Sequence, residues 1–181
     1  MKAVMISIRP EWCAKIANGK KTIEVRKTKP KLETPFKCYI YATKSGDRLV
    51  LKDDRVLEIS KSITGKVIGE FFCNVIVEYT ADDYCYGEYY IPDDDCIDAG
   101  LTRSELWKYG NGKTLYGWLI DGLVIYDKPK ELSEFYVWKK CNSCRKSGYE
   151  STACGYDEDC KVPAIITRAP QSWCYVEEHE A

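Results

Sequence analysis

The chain has 181 residues, of which 45% are hydrophobic and 30% are charged, and its formal net charge is −1. These proportions are typical of a soluble globular protein, and no apolar run approaches the roughly 20 residues that span a bilayer, so no membrane partner is expected. The apolar stretch at the N-terminus is too short for the core of a signal peptide, which predicts a cytoplasmic location.

Apolar alternation predicts a mainly β chain, and its strands follow one another along most of the sequence. The strand that would begin near Leu115 is expected to be interrupted at Asp121-Gly122, because a glycine in a strand often marks a bend. Strands are predicted at residues 2–8, 37–43, 65–80, 115–126 and 173–176.

Two short helices are predicted among these strands. Pro10 can occupy the first turn of one helix, which Gly19 ends. A second helix begins after Thr102, where Glu105 completes a capping box. A helical turn is expected after Pro129, at Glu131-Leu132-Ser133-Glu134-Phe135. Residues 45–63 are predicted to form a loop with a short strand or turn, and residues 81–96 are predicted to form an exposed loop.

Charge is distributed unevenly along the chain. Residues 1–66 hold sixteen Lys and Arg against seven Asp and Glu, whereas the rest holds eleven against twenty-one. A basic half favours a polyanionic partner such as nucleic acid, although a solvated surface would have the same composition. The chain has one histidine, His179, so catalysis by histidine is not expected.

The segment Gly19-Lys20-Lys21-Thr22-Ile23-Glu24-Val25-Arg26 carries the most information. Period-2 alternation places Glu24 and Arg26 on one face of a strand. Lys21 stands at the start of that strand, where its ammonium can turn toward either face. The three charges could therefore meet.

Three roles are open for these charges. They could form a structural network of ion pairs. They could recognise an anion, with Lys21 and Arg26 binding phosphate and Glu24 accepting from a base amino group. They could also be catalytic, with a desolvated Lys21 acting on a substrate while Glu24 moves protons.

The spacing G-x-K-x-x-E-x-R after a short helix resembles the signature of the ASCH family, a branch of the PUA-like β-barrels. The resemblance extends to Ser7-Ile8-Arg9-Pro10 before the helix and to the turn Tyr126-Asp127-Lys128-Pro129. It implies an α+β, mainly β fold: a PUA-like barrel with a cleft beside the signature strand. Such domains are associated with RNA binding or with modified nucleosides.

We therefore expect an ASCH domain over residues 1–138 and 170–181 that binds RNA or a modified nucleotide. Trp12 lies at helical spacing, which is more typical of a core residue than of a stacking platform for a base. Trp173 begins the last strand, which in PUA-like barrels can wall the cleft. The residues expected to bind the ligand are Ser7, Arg9, Lys21, Glu24, Arg26 and Trp173.

An enzyme acting on a nucleoside or on RNA is the second interpretation, with Lys21 and Glu24 as catalytic residues. Some small ASCH members look like amidohydrolases that deacylate N4-acetylcytidine with a lysine, a threonine and a later glutamate. Lys21 and Arg26 match that pattern here. Glu24 occupies the threonine position, and no glutamate stands just before Thr102, which argues against that reaction. A metal-dependent ribonuclease is also implied for some members, with Glu24 as a metal ligand.

Residues 139–161 form a cysteine-rich segment without apolar periodicity. Its spacing C-x2-C-x9-C-x5-C predicts a structural Zn²⁺ site, since four thiolates can complete the tetrahedral coordination of one zinc ion. Idle thiols or a disulfide are the alternative. A zinc-bound segment could also dock a protein partner, which is the third interpretation of function. The predicted metal ligands are Cys141, Cys144, Cys154 and Cys160.

Overall fold

The computed structural model describes residues 2–44, 50–51, 57–58, 63–81, 89–140 and 161–178. This part of the chain contains ten strands, three α-helices and one 3-10 turn. In chain order the elements are β1 Ala3–Ile8, α1 Pro10–Ala17, β2 Ile23–Arg26, β3 Phe36–Ala42, β4 Val50–Leu51, β5 Leu57–Glu58, β6 Val67–Tyr79, α2 Asp93–Ala99, α3 Arg103–Gly110, β7 Leu115–Lys130, the 3-10 turn Leu132–Glu134, β8 Phe135–Lys140, β9 Lys161–Ile165 and β10 Trp173–Glu178.

Eight of the strands form one sheet in the order β2-β7-β6-β3-β1-β10-β8-β9, and β4 pairs with β5 separately. The pair β1 and β3 is parallel, and the other pairs are antiparallel. The fold is mainly β, as predicted. Among the described residues the sheet ends at β2 and β9, so the closure of a barrel is not confirmed.

The central strand β1 is buried on both faces. Its residues Val4, Ile6 and Ile8 pack into a core that includes Cys13 and Ile16 of α1. The alternate residues of β1 face a second core on the opposite side of the sheet, which includes the buried ring of Phe135. Ile23 and Val25 of β2 pack into a third core, which includes Tyr79 and Leu106.

Several predicted elements are confirmed, including the helices at Pro10 and Thr102. Thr102 Oγ1 accepts from the backbone N–H of Glu105, and the Glu105 carboxylate accepts from the Thr102 backbone N–H at 2.8 Å. This is the capping box expected from the sequence. The strands predicted at residues 2–8, 37–43, 65–80 and 173–176 correspond to β1, β3, β6 and β10.

Of three further predictions, one is wrong, one is modified and one is confirmed. The polar stretch 81–96 was predicted as a loop, but α2 begins at Asp93, because three aspartates in its first turn favour a helix N-terminus. Strand β7 runs from Leu115 to Lys130, and the interruption predicted at Asp121-Gly122 takes the form of an irregularity within it, because Gly122 has a φ of 56° and the register with β6 shifts between Asp121 and Val124. The same strand continues past Pro129 to Lys130, and the helical turn predicted at residues 131–135 is confirmed at Leu132–Glu134.

The pair β8 and β9 was also missed. Lys140 and Lys161 are cross-strand partners at the end of this pair. The strands therefore enter the segment that the sequence analysis set apart as cysteine-rich, and residues 141–160 lie outside the described part. None of the described helices is both long enough and apolar enough to cross a membrane.

Gly117 lets β7 pack closely where it pairs with the site strand β2. It is the partner of Val25, and a Cβ added to it would lie 2.6 Å from Tyr79 Oη and 2.7 Å from Tyr79 Cε2. The Tyr79 ring cannot move away, because it is buried and its hydroxyl donates to Asp95 at 2.7 Å.

We predict that Gly117→Ala lowers the free energy of unfolding by about 1–3 kcal/mol, because overpacking forces buried neighbours out of place. Urea denaturation measures the change. Val124→Ala on the same strand is the control, since Val124 is 49% exposed and its truncation should change stability by less than about 0.5 kcal/mol. Equal stability of the two variants would contradict the packing described here.

Candidate functional site

The turn before β2 directs Lys21 into the protein. Gly19 adopts a φ of 68°, a left-handed conformation that glycine accepts without steric cost. The backbone N–H groups of Gly19 and Lys20 donate to Ile16 and Lys15 at 2.9 Å, which ends α1 and reverses the chain. The strand itself begins only at Ile23, so Lys21 precedes it and turns toward the face of Glu24.

The ammonium of Lys21 is saturated with acceptors. Nζ donates to the carbonyl oxygens of Ile23 at 2.8 Å and Ala99 at 2.7 Å, and it lies 3.3 Å from Glu24 Oε2. An ammonium has three N–H donors, so each of them has a partner. Ala99 is the last residue of α2, and the partial negative charge of a helix C-terminus favours a cation there.

Glu24 joins Lys21 to Arg26. Its Oε1 lies 2.9 Å from Arg26 Nη2, and the same nitrogen donates to the carbonyl oxygen of Ser7 at 2.7 Å. A chain of ion pairs and hydrogen bonds therefore connects the end of α2, the strand β2 and the end of β1. Buried Arg26 Nε has no hydrogen-bond partner among the described residues.

These residues are unusual in their burial. Ser7, Lys21, Glu24 and Arg26 are between 2% and 8% exposed, and they are the buried polar or charged residues of the described chain. Taking charges out of water costs several kcal/mol per ion unless they are paired. A strand that presents its charges to solvent would avoid this cost. The charged face of β2 is therefore not an ordinary solvent-exposed face.

The buried charges lie at the floor of a cavity of about 630 Å³. Ser7, Arg9, Lys21, Glu24 and Arg26 all line it. Five of the six residues that were predicted to bind a ligand therefore line one cavity. Arg9 is at the mouth, because its side chain is 77% exposed, whereas the hydroxyl of Ser7 donates to the carbonyl oxygen of Pro170 at 2.6 Å.

Trp173 is the predicted ligand residue that does not line the cavity. Its indole Nε1 donates to Thr28 Oγ1 at 3.0 Å, and its ring packs against Trp118 and Tyr175 with centroids 5.9 and 5.4 Å apart. Thr28 does line the cavity. Trp173 therefore holds Thr28, a residue of the cavity wall, without lining the cavity itself.

Other residues of the wall were not identified as site residues from the sequence. Trp12 both packs against the first core and lines the cavity, so the core role expected for it is only part of its position. Tyr109 of α3 and Leu101 before that helix complete the wall, together with Thr43 after β3. Because these residues lie far from β2 in the sequence, no local sequence pattern indicated that they belong to the site.

Burial and charge shift two pKa values at the site. Burial lowers the pKa of Lys21, and the neighbouring Glu24 carboxylate opposes this shift. Burial raises the pKa of Tyr109, which the Arg26 guanidinium partly opposes. At neutral pH Tyr109 is therefore a neutral hydroxyl group that can donate a hydrogen bond.

The predicted zinc ligands Cys141, Cys144, Cys154 and Cys160 lie outside the described residues. Within the described ranges, no group of three or more His, Cys, Asp or Glu side chains is placed to hold a metal ion. The described thiols of Cys13, Cys38 and Cys73 are buried among the apolar residues of the first core.

Comparison with known proteins assigns the domain that carries this site. Residues 6–83 match the ASCH domain family model. This part of the chain is therefore similar to an ASCH domain. The matched region includes the five predicted residues of the cavity, from Ser7 to Arg26. No curated protein sequence matches the chain.

Solved structures support the same fold. A serine-to-alanine mutant of the ASCH protein from Zymomonas mobilis aligns with a TM-score of 0.57 and 17% identity, over 98% of this chain and 89% of that one. A tyrosine-to-phenylalanine mutant of the same protein aligns with a TM-score of 0.54 and 17% identity, over 99% and 93% of the two chains. At this identity the likeness concerns the fold.

The resemblance to the ASCH family that the sequence motifs indicated is thus supported by the family model over residues 6–83 and by the fold of these structures.

Lys21 is expected to be needed for stability as well as for any ligand. We predict that Lys21→Met lowers the free energy of unfolding by about 3–5 kcal/mol, because it leaves two carbonyl groups and Glu24 without their buried cation. Urea denaturation checks this against Lys20→Met, a neighbouring lysine that is exposed and should tolerate the change. If both variants are as stable as the parent, the buried network has no structural role.

Proposed function

We propose that this chain binds RNA or a modified nucleotide in the cavity beside β2. The observation that carries the proposal is the charge of the cavity floor. Lys21 and Arg26 contribute two positive charges against the single negative charge of Glu24, which leaves an excess of one. Arg9 and Lys27 add further positive charge at the rim. Such a cavity attracts a phosphate or a phosphodiester.

The size of the cavity supports a ligand of nucleotide dimensions. Cavities that bind small molecules and cofactors usually enclose about 300–1,000 Å³, and this one encloses about 630 Å³. Trp12 and Tyr109 on its wall provide aromatic surface on which a base can stack. ASCH domains generally bind nucleic acid, which agrees with this assignment.

The loop that follows β2 provides a path for neighbouring phosphates. Lys27, Lys29 and Lys31 are exposed on it. The backbone N–H of Lys31 donates to Tyr175 Oη at 2.7 Å, so strand β10 fixes the loop. Lys27 Nζ lies 4.7 Å from the centre of the Tyr109 ring, directly beside the cavity. A nucleic-acid strand with one base in the cavity would place its backbone on this loop.

Recognition is favoured over catalysis by the state of Lys21. A lysine that attacks a substrate must lose a proton and present a lone pair, but the three N–H groups of Lys21 each have an acceptor. The amidohydrolase pattern also lacks its threonine, because Glu24 stands in that position. We therefore assign Lys21 the role of holding Glu24 and the end of α2.

We predict that the protein binds short single-stranded RNA and that Lys27→Glu weakens this binding about tenfold at low salt, because it reverses a charge at the rim. Fluorescence anisotropy at several salt concentrations measures the affinity, and the salt slope of the variant should fall by roughly one. Lys128→Glu is the control, since it makes the same charge change at an exposed position of β7 that does not line the cavity.

The same samples, analysed for cleaved RNA and for deacylated nucleoside, separate binding from turnover. Product that forms catalytically would make the enzyme interpretation correct. Equal loss of affinity in the two charge variants would place the RNA elsewhere on the surface.

We also propose that Cys141, Cys144, Cys154 and Cys160 bind a structural Zn²⁺. Four thiolates complete the tetrahedral sphere of this ion. The pairing of Lys140 with Lys161, which adjoin the first and last of these cysteines, supports it. Elemental analysis of the purified protein should find about one zinc per chain, and Cys144→Ser should lower this value, whereas Cys174→Ser should not. Zinc-free protein that is folded and stable would contradict the proposal.

A further inference from the structure

The carboxylate of Glu24 keeps acceptor capacity that the protein does not use. Lys21 Nζ lies 3.3 Å from Oε2, and Arg26 Nη2 lies 2.9 Å from Oε1. A carboxylate offers about four acceptor positions, two on each oxygen. Glu24 makes no other polar contact among the described residues, and it lines the cavity. One acceptor position on each oxygen therefore remains for a ligand.

Arg26 adds unused donors on one side of this carboxylate. Its hydrogen bond to Ser7 and its ion pair with Glu24, the polar contacts of its side chain within the described part, both involve Nη2. Nη1 makes none, and it is not among the buried atoms that lack a partner, so it is accessible from the cavity. On the other side of Glu24, Lys21 has no donor left to offer.

From this inventory we infer that Glu24 and Arg26 read the Watson–Crick edge of a guanine base, an inference that rests on the proposed function. In this arrangement Arg26 Nη1 is a donor at one end, and the two carboxylate oxygens of Glu24 are the acceptors that follow it. Guanine presents the complement along that edge, with the O6 acceptor, the N1–H donor and the 2-amino donor in a row. Arg26 Nη1 donates to O6, and the two oxygens of Glu24 accept from N1–H and the 2-amino group.

The other bases fit this pattern less well. Adenine and cytosine place a ring-nitrogen lone pair beside their amino group, and that lone pair would face an oxygen of Glu24. Uracil has a single N–H between two carbonyl oxygens, one of which would meet the carboxylate. An unpaired acceptor against a buried carboxylate loses a hydrogen bond and adds repulsion.

The charge of the site excludes a competing ligand. A guanidinium group, as on an arginine side chain, also presents two adjacent N–H donors to a carboxylate. It would bring a further cation into a cavity that already holds an excess of positive charge from Lys21 and Arg26. A neutral base attached to a phosphate satisfies the carboxylate and the surrounding cations together.

Titration with nucleoside 5′-monophosphates at fixed ionic strength tests the inference. GMP and IMP carry the same phosphate and differ only in the 2-amino group, so their ratio reports the contact with Glu24. We expect GMP to bind at least about tenfold more tightly than IMP, because a hydrogen bond to a charged acceptor is lost. AMP and UMP should bind more weakly still. Short RNAs with one guanosine replaced by inosine provide the same comparison in a strand.

Variants assign the preference to its residue. Glu24→Gln replaces one acceptor by an N–H group, and it should bring the GMP to IMP ratio close to one. Lys27→Ala should weaken both nucleotides equally and leave the ratio unchanged, because its charge meets the phosphate. If Glu24→Gln fails to fold, as judged by its thermal transition, the ratio measured on the parent protein decides.

The outcomes separate this inference from the proposed function. Equal binding of GMP, IMP and AMP that still depends on Lys27 would overturn the guanine assignment and leave nucleotide binding in place. A preference for GMP that persists in Glu24→Gln would remove Glu24 as its source. Absence of binding to every nucleotide and RNA would overturn both.

Discussion

The buried ion pairs of Glu24 with Lys21 and Arg26 are the interaction on which the site depends. They tie three elements together, because Lys21 reaches the carbonyl at the end of α2 and Arg26 reaches the carbonyl of Ser7 at the end of β1. Strand β2 has only four residues and pairs with one neighbour, β7. The ion pairs therefore add to the apolar packing of Ile23 and Val25 against α2 and α3, and the same contacts that shape the cavity also help to hold its floor in place.

Burial gives these charges a different character from that of surface ion pairs. Exposed pairs contribute little to stability and are screened by salt. Here the two ion pairs join side chains that are at most 10% exposed. Their mutual attraction is stronger in this less polar surrounding, but so is the cost of leaving any one of them unpaired. The lowered pKa of Lys21 reflects that cost, and its three acceptors are the means by which the fold keeps it charged.

The part of the site that sequence could predict is the part encoded locally. Alternation placed Glu24 and Arg26 on one face, and the glycine turn allowed Lys21 to join them. The partner of Lys21 at Ala99 could not be predicted, because the polar composition of residues 81–96 predicts a loop where α2 begins. Trp173 was expected in the wall, but it supports Thr28 instead, since the pairing of β1 with β10 brings it against Trp118. Such contacts depend on strand order, which no local pattern contains.

The arrangement also explains why a ligand would find the site ready to bind. Side chains that must be ordered on binding cost about 0.5–1.5 kcal/mol each, but Glu24 and Arg26 are already held by contacts made on folding. Nη1 of Arg26 and the remaining lone pairs of Glu24 point to a ligand as the group that completes the network. The desolvation of the charges takes place during folding, so binding adds hydrogen bonds without repeating that cost. Selectivity then comes from the pattern of donors and acceptors, because a base with the wrong pattern would leave a buried carboxylate oxygen facing a lone pair.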